Sequence, residues 1–144
     1  MTGQTEPVDL TDRALYGHWS RDKVRWGDQD GMRHINNVAY AGYLENARTE
    51  LIIERVIAHK AKGDNFTVRR VAIEYLGRGT YPGQVEIGTT DIDIGESSFT
   101  VGQGVFMGDQ CLATGETVHV QHRKGERVPL SDGLRAALEG ERPA

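Results

Sequence analysis

Asp28, Asp30 and His34 fall within seven residues of one another and are followed at once by Asn36 and Asn37. A carboxylate at such a point can attack an electrophilic carbon itself or activate a water molecule that does so. An imidazole whose ordinary pKa lies near neutrality can act as a base. Amides at the start of a helix, helped by the positive end of its dipole, can hold a developing oxyanion. Each residue also has a plainer use. Asp30 can organise a turn, as Asp often does. Asp28 can pair with Arg25, or raise the pKa of Asp30 through like charge. His34 can fix the loop through a backbone hydrogen bond, and Asn36 and Asn37 suit caps and turns better than catalysis.

These residues need a strand to deliver them and a helix to receive them. Lys23 to Gly27 reads as a short first strand, with Val24 and Trp26 alternating against Lys23 and Arg25. From Asn37 to about His59, apolar residues recur at Tyr40, Tyr43, Leu44, Ala47, Leu51, Ile52, Val56 and Ile57. That is the stripe of a helix with one buried face, capped by Asn36 or Asn37 and stopped near Gly63. Four further stretches, Phe66–Leu76, Val85–Ile94, Phe99–Phe106 and Cys111–Gln121, are rich in Val, Ile, Thr and aromatics. Turn residues divide them at Gly77–Gly83, Gly95–Glu96 and Gly108–Asp109, so the last three predict an antiparallel meander. Ser131–Leu138 predicts a short terminal helix. An antiparallel sheet with one face laid over one helix satisfies both apolar surfaces, giving an α+β domain. Such a sheet has exposed edges, and dimerisation is a common cover for one of them.

Composition narrows the partners. The 144 residues suit one domain, expected over 21–144 behind a partly ordered N-terminal segment, 1–20. A formal charge of −4 argues against nucleic acid as a partner. The opening MTGQTEPVDLTDR lacks the basic start and apolar run of a secretory signal, and nothing approaches a membrane span, so a cytoplasmic protein is expected. The single Cys111 forms no intramolecular disulfide and reads as a small core residue.

The order strand, long helix, four strands, together with the turn, resembles the hotdog fold, a curved antiparallel sheet wrapped around one long central helix. The motif residues Arg25, Asp28, Asp30, His34, Ile35, Asn36, Asn37, Tyr40, Tyr43, Glu45, Ala47 and Arg48 resemble those of the 4-hydroxybenzoyl-CoA thioesterase family. The likeness extends over about residues 20 to 122, with weaker matches at Ile73, Tyr75, Gly83, Gly95–Ser98 and Ala113. It implies an acyl-CoA thioesterase that hydrolyses a thioester to a carboxylic acid and free thiol, without metal or redox cofactor. Asp30 would be the nucleophile or general base, and the backbone amide near Asn37 or Val38 would polarise the carbonyl. His34 and Glu45 are further catalytic candidates; Glu45 is the reserve carboxylate, or pairs with Arg48 three residues on. Substrate contacts are expected at Val38, Arg33, Ser97 and Ser98. Two departures stand out: Arg33 occupies a position that is often Gly, and Glu96 one that is often basic. The resemblance further implies a homodimer with its sites at the interface, and dimers that can pair into tetramers. Arg69, Arg70, Arg78, Arg123, Lys124 and Arg127 are the cations available for the phosphates of a CoA ligand. Two other readings remain open: a hotdog module that binds acyl-CoA without hydrolysing it, and a hotdog dehydratase or hydratase, whose longer signature is not found here.

Overall fold

Asn36 sets where the central helix begins. Its side chain accepts a hydrogen bond from the Ala39 amide at 2.7 Å, satisfying one of the donors that a helix start leaves unpaired. In the computed structural model, which describes residues 7–141, helix α1 runs Asn37–Leu51 and is followed by a π-helical turn, Ile52–Val56, and a 3-10 turn, Ile57–His59. The 23-residue run ends where its apolar stripe ends. Gly63, with φ of +89°, then turns the chain into the sheet.

The strands are β1 (His18–Lys23), β2 (Asp64–Tyr75), β3 (Gln84–Ile94), β4 (Ser98–Met107), β5 (Gln110–Arg123) and β6 (Glu126–Arg127). They lie in the order β1-β3-β4-β5-β2, all neighbours antiparallel, and β6 pairs with the end of β5. Register shifts between Val68 and Arg70, Asp91 and Asp93, and Val105 and Phe106 help the sheet curl, since each adds a residue to one strand only. The curled sheet packs on the central helix, which is the expected hotdog arrangement, and β3, β4 and β5 form the expected meander. Tyr40, Tyr43, Leu44 and Ala47 meet Val85, Ile87, Val105, Leu112 and Ala113 in the main core. Each large apolar side chain so buried contributes about 1.5–3 kcal/mol. A second cluster, Val56, Phe99, Val101, Leu130, Leu134 and Leu138, closes the far end of the helix under α2 (Asp132–Glu139).

The outer face has its own logic. Gly88, Gly102 and Gly104 leave a trough in β3 and β4, and a Cβ there would come within 2.3–2.8 Å of Tyr16 or Leu10. The segment before β1 lies in that trough, with the Tyr16 hydroxyl donating to the Leu10 carbonyl at 2.5 Å.

The first strand corrects the sequence reading. It spans His18–Lys23 in place of the expected Lys23–Gly27, straddling the expected start of the domain at residue 21, while Trp26–Asp28 form a 3-10 turn. No apolar alternation marks β1 because its inward residues are polar and meet helix carboxylates: Ser20 bonds to Glu50, and His18 Nε2 lies 3.4 Å from Glu54. Residues 1–6, part of the expected partly ordered start, lie outside the described residues, as do 142–144. Among the described residues no helix is long and apolar enough to cross a membrane.

Candidate active site

The turn from Asp28 to Asn36 is a small hairpin held by its own backbone. Gln29 pairs with Ile35, the Asp30 amide donates to the His34 carbonyl at 2.8 Å, and the Asn36 amide donates to the Asp28 carbonyl at 2.8 Å. Arg33 sits at the tip with φ of +64°, a left-handed conformation that costs a non-glycine residue about 1–2 kcal/mol. Gly would take that conformation without the cost. The hairpin docks on the loop after β2, where the Ile35 amide donates to the Gly79 carbonyl at 2.9 Å. A Cβ on Gly79 would lie 2.5 Å from Ile35 Cδ1 and 2.8 Å from Leu112 Cδ1, so any side chain there would have to displace both.

The two aspartates of the turn differ in what they hold. Asp28 Oδ2 accepts from the Arg25 amide at 2.9 Å and from the Tyr43 hydroxyl at 2.6 Å, tying the turn to the core face of α1. Burial, and then the bond to Asp28, push the Tyr43 phenol up, so it remains a donor. The guanidinium of Arg25 reaches Asp22 instead. Asp30 Oδ1 accepts from the Met32 amide at 2.8 Å and the His34 amide at 3.1 Å. Among the described residues its Oδ2 has no hydrogen-bond partner. Those two amides, His34's first, hold the carboxyl below its ordinary range, and the charges of His34 and Arg78 act in the same direction. Asp30 is therefore ionised at neutral pH.

Asp30 opens into a cleft of about 410 Å³, with His34, Asn37, Tyr40, Tyr75 and Arg78 among the residues that line it. The amides of Asn37 and Val38, the first two of α1, have no carbonyl to donate to within the helix. The structure thus brings together Asp30, His34 and the helix start at Asn37. It does not bring in every expected residue. Neither Arg33 nor Val38 lines this cleft, and the side chain of Val38 is 81 % exposed to solvent. Ser97 lies in the β3–β4 turn and Ser98 opens β4; Ser97 accepts from the Gln121 amide and the preceding Glu96 from the Leu130 amide, at the α2 end of the molecule. Within one chain they are far along the helix from Asp30.

Glu45 is likewise elsewhere, on a second cavity with Arg48, and the two form no ion pair among the described residues. Tyr75 and Arg78 entered the sequence reading only as a weak match and a general cation. Their place at the cleft follows from the antiparallel return of β2, which periodicity does not reveal. Cys111 is half-buried, its thiol pushed up by burial and directed at the Ala113 carbonyl. Among the described residues no group of three or more His, Cys, Asp or Glu side chains is arranged to hold a metal ion.

The PA5185 protein of Pseudomonas aeruginosa strain PAO1 is 27% identical, over 92% of this chain and 96% of that one, with a TM-score of 0.79. A thioesterase from Thermus thermophilus, solved with coenzyme A and zinc, is 25% identical over 90% of this chain and 98% of that one, with a TM-score of 0.78. A thioesterase-superfamily protein from Jannaschia sp. CCS1 shares the fold, with a TM-score of 0.80 at 24% identity over 92% and 87% of the two chains. No curated protein matches the chain. The family description that matches is the thioesterase-like superfamily, over residues 24–138. With most of its length inside that match, the chain belongs to the thioesterase-like superfamily.

Proposed function

We propose that the protein is an acyl-CoA thioesterase in which Asp30 attacks, or directs water at, the thioester carbonyl carbon. The observation that carries this reading is a shared opening: an ionised carboxylate and Asn37, the first residue of a long helix, border the same cleft. In the reaction the carbonyl oxygen gains negative charge, and the amides of Asn37 and Val38 stabilise it. The thiolate of CoA leaves and takes up a proton. If Asp30 attacks directly, an acyl anhydride forms on its free oxygen and water then opens it. His34 lines the cleft and holds the turn through its backbone amide and carbonyl. Coenzyme A in the Thermus thermophilus relative supports CoA as the carrier.

The test is a panel of short, long and aromatic acyl-CoA thioesters, with thiol release followed on purified protein. Turnover of at least one donor is expected, and it should disappear when Asp30 is replaced. Binding of the panel without thiol release by the wild-type protein would instead favour a non-catalytic acyl-CoA module.

The protein acts as a homodimer paired through β2. This strand of 12 residues is an edge of the sheet, and it exposes Val68, Val71 and Tyr75. A long edge of that kind is a template for a second copy. Val71 lies near the middle of the strand, so antiparallel self-pairing sets two copies of it close together. Val71→Lys is therefore expected to shift the protein to monomer in sedimentation equilibrium, with its circular dichroism unchanged. A variant that stays dimeric would rule out this edge as the interface.

A further inference from the structure

A second cavity, of about 390 Å³, opens beside the end of α1 remote from Asp30. Ile52, Ile57, Phe66 and Val68 give it apolar walls, and Arg48 and His119 are its buried polar residues. Arg48 is only 6 % exposed. Among the described residues it has neither a hydrogen bond nor an ion pair, although Glu45 and Lys60 line the same cavity. Burial lowers its pKa, and only the charge of Glu45 opposes that effect. A guanidinium so largely withdrawn from water is ordinarily paired.

We propose that this cavity binds an organic carboxylate with an apolar body, its carboxyl group held by the Arg48 guanidinium. Three features select that ligand class. The planar fork of Arg matches a carboxylate through two parallel hydrogen bonds. The apolar walls suit a hydrocarbon or aryl body, where a bare inorganic anion would lose its hydration for nothing. The volume lies at the low end for small-molecule sites, so the ligand is a small acid. Glu45, exposed on the same lining, disfavours a more highly charged anion such as a phosphate dianion. Two sources share this chemistry: a free carboxylic acid, and the far end of an acyl group that carries a second carboxylate. The site itself does not depend on the thioesterase reading; only the second source does.

The experiment titrates the full-length protein with octanoate and phenylacetate, using octanamide and phenylacetamide as neutral controls, by calorimetry and by thermal shift. At least one acid should bind and raise Tm, its amide should not, and Arg48→Met should weaken acid binding at least tenfold. In the absence of ligand, Arg48→Met should itself raise Tm, because it removes an unpaired buried charge. Arg48→Lys keeps the charge but not the fork, and should bind with intermediate strength. In a second arm, acyl-CoA substrates ending in methyl or in carboxylate are compared. A rise in KM confined to the carboxylate-ended substrate in Arg48→Met assigns the acid to the acyl group. Weakened inhibition by octanoate or phenylacetate, with KM unchanged, assigns it to a free acid. Equal binding of acids and amides, or undiminished acid binding by Arg48→Met, overturns the proposal. So does a loss of Tm and a shift to monomer in Arg48→Met without acid binding by the wild type, which would make the counter-ion a carboxylate of a second copy.

Discussion

Asp30→Asn is expected to lower kcat for thioester hydrolysis by about 10²–10⁴-fold while leaving KM within a few-fold of wild type. The substitution isolates chemistry from folding. Asn keeps an Oδ1 that accepts from the Met32 and His34 amides, so the hairpin retains both of its side-chain bonds. What it loses is the second carboxylate oxygen and the negative charge, which are the attacking elements. Equal losses in kcat and kcat/KM mark an interaction realised in the transition state. The pH profile adds an independent check. The native carboxyl is held below its ordinary range by two amides, so activity should fall on acidification only beneath that range, and stay flat through neutrality. An imidazole acting as base would instead give a limb near neutrality. Turnover within tenfold of wild type, at unchanged Tm, would sink the assignment of Asp30.

The parts that were legible in the sequence share one physical property: their signals are local. Asn36 ahead of a stripe at helical spacing announced α1, because a cap and a buried face lie within one continuous segment. The runs rich in β-branched residues announced β2 to β5, which extend one or two residues beyond most of the expected bounds. β1 was invisible for the opposite reason. Its inward residues, His18 and Ser20, answer Glu54 and Glu50 of the helical run, and polar residues matched across the interior leave no alternation to read. Arg48 was obscured in another way. Its spacing from Glu45 predicts a helical ion pair, whereas its burial is made by Phe66 and His119, which the sheet carries back from far along the chain.

The proposed dimer gives the two cavities one further relation. The Asp30 cleft borrows its wall from the end of β2, at Tyr75, and the second cavity from its beginning, at Asn65, Phe66 and Val68. Antiparallel self-pairing sets the end of one copy against the beginning of the other. In such a dimer the cleft of one subunit would face the second cavity, and Glu45, of its partner.

Stability should fall by on the order of 3 kcal/mol between pH 6.5 and pH 4 through His119 alone. The ring is 3 % exposed and stacked on Phe99 at 4.7 Å between centroids. Burial first, and then the positive charge of Arg48, push its pKa down from 6.5 to about 4. Within that window the unfolded chain binds a proton that the native state refuses. Acidification therefore favours unfolding, and the contribution is complete above pH 6.5 and lost as pH falls towards 4. His119→Gln removes the titration. The variant should be less stable at pH 7, having lost the ring stack, and its deficit against wild type should shrink across the window in urea denaturation at pH 7, 6, 5 and 4. Arg48→Met should narrow the window from below, since removing the second cause lets the native pKa of His119 rise. A deficit that stays constant from pH 7 to pH 4 would mean that His119 takes up its proton equally in both states, and that the interior around Arg48 is wetter than its burial indicates.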